Sequence, residues 1–260
     1  MAVDMKNVKA ITHNNKNVKK IEDSNGDIIW GSYDAFPYRR LEYVDIPSGA
    51  YVNLNSQGDI NLGLKLDINL NPTAQTTQQS GNFFGSIYYN GSTYYRYHLS
   101  TINAGLVQGW FGTGDNSYVN TDIYSNDNSR HYIELNSHTA KDKKLYIDNV
   151  QKGTYNTSYT TQCGLVYIGG RRFNNNGTVT INDYARTIRV YYVELVGPNI
   201  TTNPNDTSKI YPVQRKSDGK VGLLKIWNHG QAVRFCTTET STELLAGTTV
   251  DEYYEGTDWV

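Results

Sequence analysis

The chain has 260 residues and a net charge of −1, with 24 Lys plus Arg set against 25 Asp plus Glu. That balance, without a basic run, excludes the broad phosphate-binding surface that a nucleic-acid partner requires. A 38% hydrophobic content can bury the core of one large all-β domain, alone or with a short appendage. Apolar stretches are no longer than a strand, so no membrane partner is expected.

Residues 1–37 differ from the rest. MAVDMKNVKA lacks the apolar core of a signal peptide, which points to synthesis in a cytoplasm. An Asn-Asn turn and a Ser-Asn-Gly-Asp turn then separate short β-prone pieces, as in hairpins. Such a segment is too small to bury a core. Its apolar residues Val8, Ile11, Val18, Ile21, Ile28 and Trp30 therefore need a second surface, either the main domain or another chain.

From Tyr38 onward the chain reads as about a dozen short strands separated by turn signals every 8–12 residues, with no helical periodicity sustained over three turns. Leu64, Leu66, Ile68 and Leu70 alternate with Lys65, Asp67 and Asn69, the mark of a half-buried strand. NFFGSIYYN, TYYRYHLST, GLVQGWFGT, SRHYIELNS, KKLYIDNVQKGTYN, CGLVYIGGRR and ARTIRVYYVELVG follow as further strands. The stretch GDNSYVNTDIYSNDNS reads as an Asx-rich loop region. Near the C-terminus, IYPVQRKSDGKVGLLKIWNHGQAVRF reads as paired late strands that send Val221, Leu223, Ile226, Val233 and Phe235 to the core. Cys163 and Cys236 are isolated and read as buried thiols.

The order of these pieces resembles the concanavalin A-like, laminin G-like jelly-roll domains of bacteriophage virion proteins. Leu41 to Val44, Ala50 to Leu54 and Leu62 to Leu70 look like the opening strands, and Phe83-Phe84-Gly85 looks like the next core strand. His131 to Leu135 with Lys144 to Val150 resembles a hairpin that recurs in these domains. Arg189 to Leu195 and Tyr211 to Leu223 look like the closing strands, so the resemblance spans roughly residues 38–247. It implies an all-β jelly-roll sandwich with the concanavalin A-like lectin fold over 38–260, preceded by a β-hairpin attachment segment over 1–37. It further implies a place on the virion surface, other virion proteins as partners of that segment, host-surface polysaccharide as the partner of the sandwich, and a possible homo-oligomer.

Glycosidases on such sandwiches need two carboxylates a few ångströms apart, which on a strand means alternate positions. No such triplet occurs, and Glu134, Asp148 and Glu194 each stand alone, so no enzymatic activity is expected. Neither a Gly-x-Ser-x-Gly elbow nor zinc-like spacing of His13, His98, His131, His138 and His229 is present, and no cofactor is expected. Asp115, Asn116, Asp122, Asn126, Asp127 and Asn128 have the oxygen chemistry of a calcium site, but turn capping accounts for them more simply, and no metal is assigned. The aromatic residues carry the candidate glycan site. Tyr88, Tyr89, Tyr94, Tyr95 and Tyr97 flank an Asn90-Gly91-Ser92 turn, Trp110 and Tyr118 extend the surface, and Arg171, Arg172 and Asn174 supply polar contacts. Rings stack on sugars while guanidinium and amide groups bind hydroxyls. The same residues equally suit a plain β-surface or a subunit interface, and then the protein is a decoration or fibre subunit that binds no sugar.

Overall fold

The computed structural model describes 36–58, 62–102, 105–113, 118–136, 143–155, 163–197, 207–226 and 233–250, together with the backbone alone of 12–13, 16–17, 20–22, 28–31 and Trp227. Four short strands come first: β1 Thr12–His13, β2 Lys16–Asn17, β3 Lys20–Glu22 and β4 Ile28–Gly31. β1 pairs with β2 and β3 with β4, each pair antiparallel and as its own two-stranded sheet, while the intervening Asn-Asn and Ser-Asn-Gly-Asp stretches lie outside the described residues. Ile21 stands opposite Trp30, and Ile28 opposite Glu22. Val8, Ile11 and Val18 lie outside the described residues.

Two larger sheets follow. Their strands are β5 Tyr38–Arg40, β6 Val44–Ile46, β7 Val52–Gly58, β8 Gly63–Asn69, β9 Gly81–Tyr89, β10 Tyr94–Thr101, β11 Leu106–Thr113, β12 Tyr118–Tyr124, β13 His131–Asn136, β14 Lys143–Ile147 and β15 Val150–Tyr155. Then come β16 Gly164–Ile168, β17 Gly170–Asn175, β18 Thr178–Asp183, β19 Ile188–Val196, β20 Thr207–Arg215, β21 Val221–Trp227, β22 Val233–Cys236 and β23 Leu245–Ala246. The first sheet runs β12-β11-β10-β9-β16-β7, with the β17–β18 hairpin attached beside β9. The second runs β15-β14-β13-β8-β19-β20-β21-β22, with β5, β6 and β23 at its flank. Neighbours are antiparallel except β17, which lies parallel to β9. The protein is the expected all-β jelly-roll sandwich.

Alternation builds the core. Leu64, Leu66 and Ile68 of β8 point inward from the second sheet, and Phe84, Tyr97, Leu99 and Phe111 from the first. The sandwich closes at one end where β15 meets β11 and β12: Tyr155 stacks edge-on against Phe111, and its hydroxyl donates to the Gly109 carbonyl at 2.7 Å. Burial keeps that phenol protonated far above its ordinary range. Both cysteines are buried free thiols.

Two expectations change. GDNSYVNTDIYSNDNS is not all loop, because β12 forms the edge of the first sheet from its middle. Val119 and Ile123 face the core while Tyr118, Asn120 and Asp122 face solvent, an alternation that the flanking Asx residues disguise. The closing strands also do not send every apolar residue inward. Leu223 lies in the main core and Val221 packs against it. Ile226, with Leu224, Val213 and Tyr211, forms a satellite cluster packed by Phe36, Tyr38, Tyr192 and the half-buried Phe235, while Val233 is 43% exposed. Leu223 and Leu224 point to opposite faces of β21, so a strand covered on both faces gives no single apolar stripe.

Candidate functional site

The outer face of the first sheet is organised by β10. Tyr95, Tyr97 and Leu99 turn toward the core, so Tyr94, Arg96, His98 and Ser100 turn away from it. Across the ladders, Tyr118 stands opposite Trp110, Trp110 opposite His98, and His98 opposite Gly85 of β9. Gly85 has φ +111, and a Cβ there would lie 2.1 Å from the Tyr97 carbonyl, so only glycine permits this close approach of β9 to β10. Beyond it, Arg171 of β17 reaches His98, with a guanidinium nitrogen 3.4 Å from Nε2.

The side chains of this face interlock. His98 stacks on Trp110 at 5.8 Å with planes 5° apart, and Tyr118 tilts against the same indole at 4.8 Å. The Arg96 guanidinium lies between two rings, 4.6 Å from Tyr94 and 5.1 Å from Trp110. Tyr94 also stacks on Tyr89 at 4.4 Å and on Phe173 at 6.4 Å. Cation–π contacts of this kind help to hold the guanidinium against the rings.

Between these groups opens a cleft of ≈ 630 Å³, walled by Tyr94, Trp110 and Phe173 and floored by Arg96, His98 and Arg171, with Ser80, Asn82, Ser100 and Thr101 on its polar side. None of its described lining residues is acidic. His98 is 2% exposed, and burial followed by the charges of Arg171 and Arg96 pushes its titration far below the ordinary imidazole range. The neutral ring can then accept from Arg171 at Nε2 and carry its proton on Nδ1. Burial first and Arg96 second bring Arg171 itself down to about 10. His98 Nδ1, Arg171 Nε and Trp110 Nε1 are all buried without a hydrogen-bond partner.

Of the residues singled out in the sequence, Tyr94, Trp110, Tyr118 and Arg171 come together here. Tyr97 does not: it is fully buried between Phe84 and Phe111 and cannot meet a ligand. Tyr88 and Tyr95 stack on each other at 5.9 Å on the core side of the sheet, with Tyr95 packed against the core. Arg172 points away from the cleft toward Gly164, and Asn174 caps the β17–β18 turn by accepting from the Gly177 amide at 2.9 Å. Tyr89 stacks on Tyr94 at the rim, while Arg96, His98 and Phe173 were missed as site residues. Arg96 and His98 lie two and four positions after Tyr94, so strict alternation from that tyrosine finds them.

The other chemistry-bearing residues are engaged elsewhere. Asp122 accepts from Lys152 at 2.7 Å, and Asp127 accepts from the Ser129 amide and lies 3.2 Å from His131. Asn126 donates to the Thr76 carbonyl, while Asp115 and Asn116 lie outside the described residues. Among the described residues, no group of three His, Cys, Asp or Glu could hold a metal ion. Glu194 accepts from Lys65 at 2.7 Å and from the Tyr192 hydroxyl at 2.6 Å, and Asp148 lies 2.8 Å from His131 Nδ1. On the outer face of the second sheet, Arg130 grips Asp67 and covers Tyr191, while Arg189 grips Asp45 and covers Tyr43.

No protein-family model matches the chain, and no curated protein matches its sequence. Among solved structures it is similar to a native heptameric SAP-like pentraxin from Limulus polyphemus, at 13% identity and a TM-score of 0.39, covering 60% of this chain and 76% of that one. It is also similar to domains LG4-5 of the mouse laminin alpha1 chain, at 12% identity and a TM-score of 0.38, covering 86% and 84% of the two chains.

Proposed function

We propose that the protein is a non-enzymatic, carbohydrate-binding jelly-roll module of a bacteriophage virion, which holds host-surface polysaccharide in the cleft between Trp110, Tyr94 and Phe173. The observation that carries this is the cleft itself, a concave site with aromatic walls and a floor of convergent polar groups. Assignment to a virion surface, after synthesis in the bacterial cytoplasm, rests on the ordered resemblance across 38–247. The N-terminal strands support an attachment role, since among the described residues β1 pairs with β2 and β3 with β4, outside the two large sheets. Binding of the full chain to purified host cell-wall polysaccharide tests the proposal. Saturable binding that weakens in Trp110→Ala, without release of reducing sugar, is the expected result, and a folded protein that retains no polysaccharide overturns it. One observation favours the second reading, a structural subunit that binds no sugar. The faces of Tyr94 and Trp110 are already contacted by other rings and by Arg96, as in a surface built to pack against protein.

A further inference from the structure

The orphaned polar atoms beneath the cleft share one property. His98 Nδ1, in the tautomer that lets Nε2 accept from Arg171, is a donor, and so are Arg171 Nε and Trp110 Nε1. A buried donor without a partner is costly, and three around one cleft give it a positive lining. Arg171 adds a full charge to that lining. Its hydrogen-bond contact among the described residues is His98, a neutral ring, and no carboxylate neutralises it. Three of the protein's other arginines are answered by acids: Arg130 by Asp67, Arg189 by Asp45, Arg215 by Asp218. Among the described residues Arg171 has no such acid, and it lies in the cleft with aromatic walls.

Resting on the glycan-binding proposal above, the geometry points to an acidic polysaccharide as the ligand, with an anionic oxygen of the polymer seated on the Arg171 guanidinium and the adjoining sugar held between Phe173 and Trp110. A carboxylate or phosphate oxygen is the acceptor this donor-rich floor lacks, and a guanidinium binds either one in bidentate fashion. A neutral sugar brings hydroxyls, which accept less strongly and leave the Arg171 charge uncompensated.

The test uses the full chain and three immobilised polymers: polygalacturonate for a carboxylate source, glycerol-phosphate teichoic acid for a phosphate source, and dextran as a neutral glycan. The expected result is binding to one or both anionic polymers at least about tenfold tighter than to dextran, weakened by rising salt and reduced about tenfold or more in Arg171→Gln. Which anionic polymer binds identifies the source. Arg171→Lys, which keeps the charge and loses the fork, is expected to retain part of the affinity and so supplies a second reading if the glutamine variant does not fold. Binding to dextran equal to that of the anionic polymers, insensitive to salt and to both substitutions, overturns the inference while leaving glycan binding intact. Absence of binding to all three polymers overturns both.

Discussion

Replacing Gly85 by alanine tests the contact on which the site is built. At φ +111 an added side chain is strained, and its Cβ would sit 2.1 Å from the Tyr97 carbonyl oxygen, 2.5 Å from the His98 Cα and 2.7 Å from its Cβ. Ordinary contact begins near 3.4 Å, so β9 and β10 must separate by about 1.3 Å at the middle of their ladder. Backbone strain costs about 1–3 kcal/mol, and weakened buried ladder bonds cost about 1–3 kcal/mol more, so about 4 kcal/mol is expected. For a chain of this size that lowers Tm by roughly 8–16 °C. Gly91→Ala is the matched control: φ is +95, but nothing lies within 4 Å of the added carbon, so only the strain, about 1 kcal/mol, is expected. The assay is thermal unfolding followed by circular dichroism. Equal melting temperatures for the two variants would refute the close approach of β9 and β10 and, with it, the placement of His98 and Arg171.

Leu223→Ala should cost about 2–5 kcal/mol because that side chain is fully buried in the main core, whereas Phe235→Ala, half-buried and stacked on Tyr38 at 5.3 Å, should cost about 1–2 kcal/mol; chemical denaturation ranks the pair, and the reverse order would count against the two-cluster packing. Tyr95→Ala is expected to lower stability and Tyr94→Ala to lower polysaccharide binding with little change in Tm, since the two rings lie on opposite faces of β10; a titration and a melting curve for each separates them. The folded state holds His98 neutral, so the unfolded chain takes up the proton first, at about pH 6.5. Its contribution is therefore complete above that pH and lost as pH falls below it. Tm of the wild type should drop more between pH 7.5 and 5.5 than that of His98→Gln, and parallel curves would contradict the burial beside Arg171 and Arg96. Truncation to residues 33–260 keeps Phe36 and Tyr38 on the satellite cluster and should leave a cooperatively melting β protein which, on the attachment proposal, is not incorporated into particles; loss of the β signal would show that the leading segment belongs to the sandwich.

Much of the sandwich was legible because period-2 alternation is local, and β8 is visible in Leu64 to Leu70. KKLYIDNVQKGTYN was read as one strand, whereas Asp148-Asn149, with φ values of 50° and 66°, turns the chain between β14 and β15. The pairing of the N-terminal strands was legible from the turn-forming residues between them. Alternation states which residues share a face and is silent on which face looks inward. That is why Tyr97 was placed with Tyr94 although they are three residues apart and therefore on opposite sides. It is also why Val233 and Phe235 were expected in the core. The contact between Arg171 and His98 joins positions 73 residues apart through the parallel seating of β17 on β9, and no local pattern encodes that. His98 and Arg96 were not read as site residues because their burial is created by neighbouring strands.

Hydroxyl-radical footprinting of the full chain, with and without added polysaccharide, reads most directly whether the outer face of β10, β11 and β17 is the ligand-binding face proposed above. Oxidation of Trp110, Tyr94 and Phe173 should fall on binding, while the exposed Tyr124 and the half-buried Tyr43 and Tyr191 on the second sheet stay unchanged. Protection confined to Tyr43 and Tyr191, with the cleft residues oxidised as before, would place the ligand on the other sheet and contradict the account.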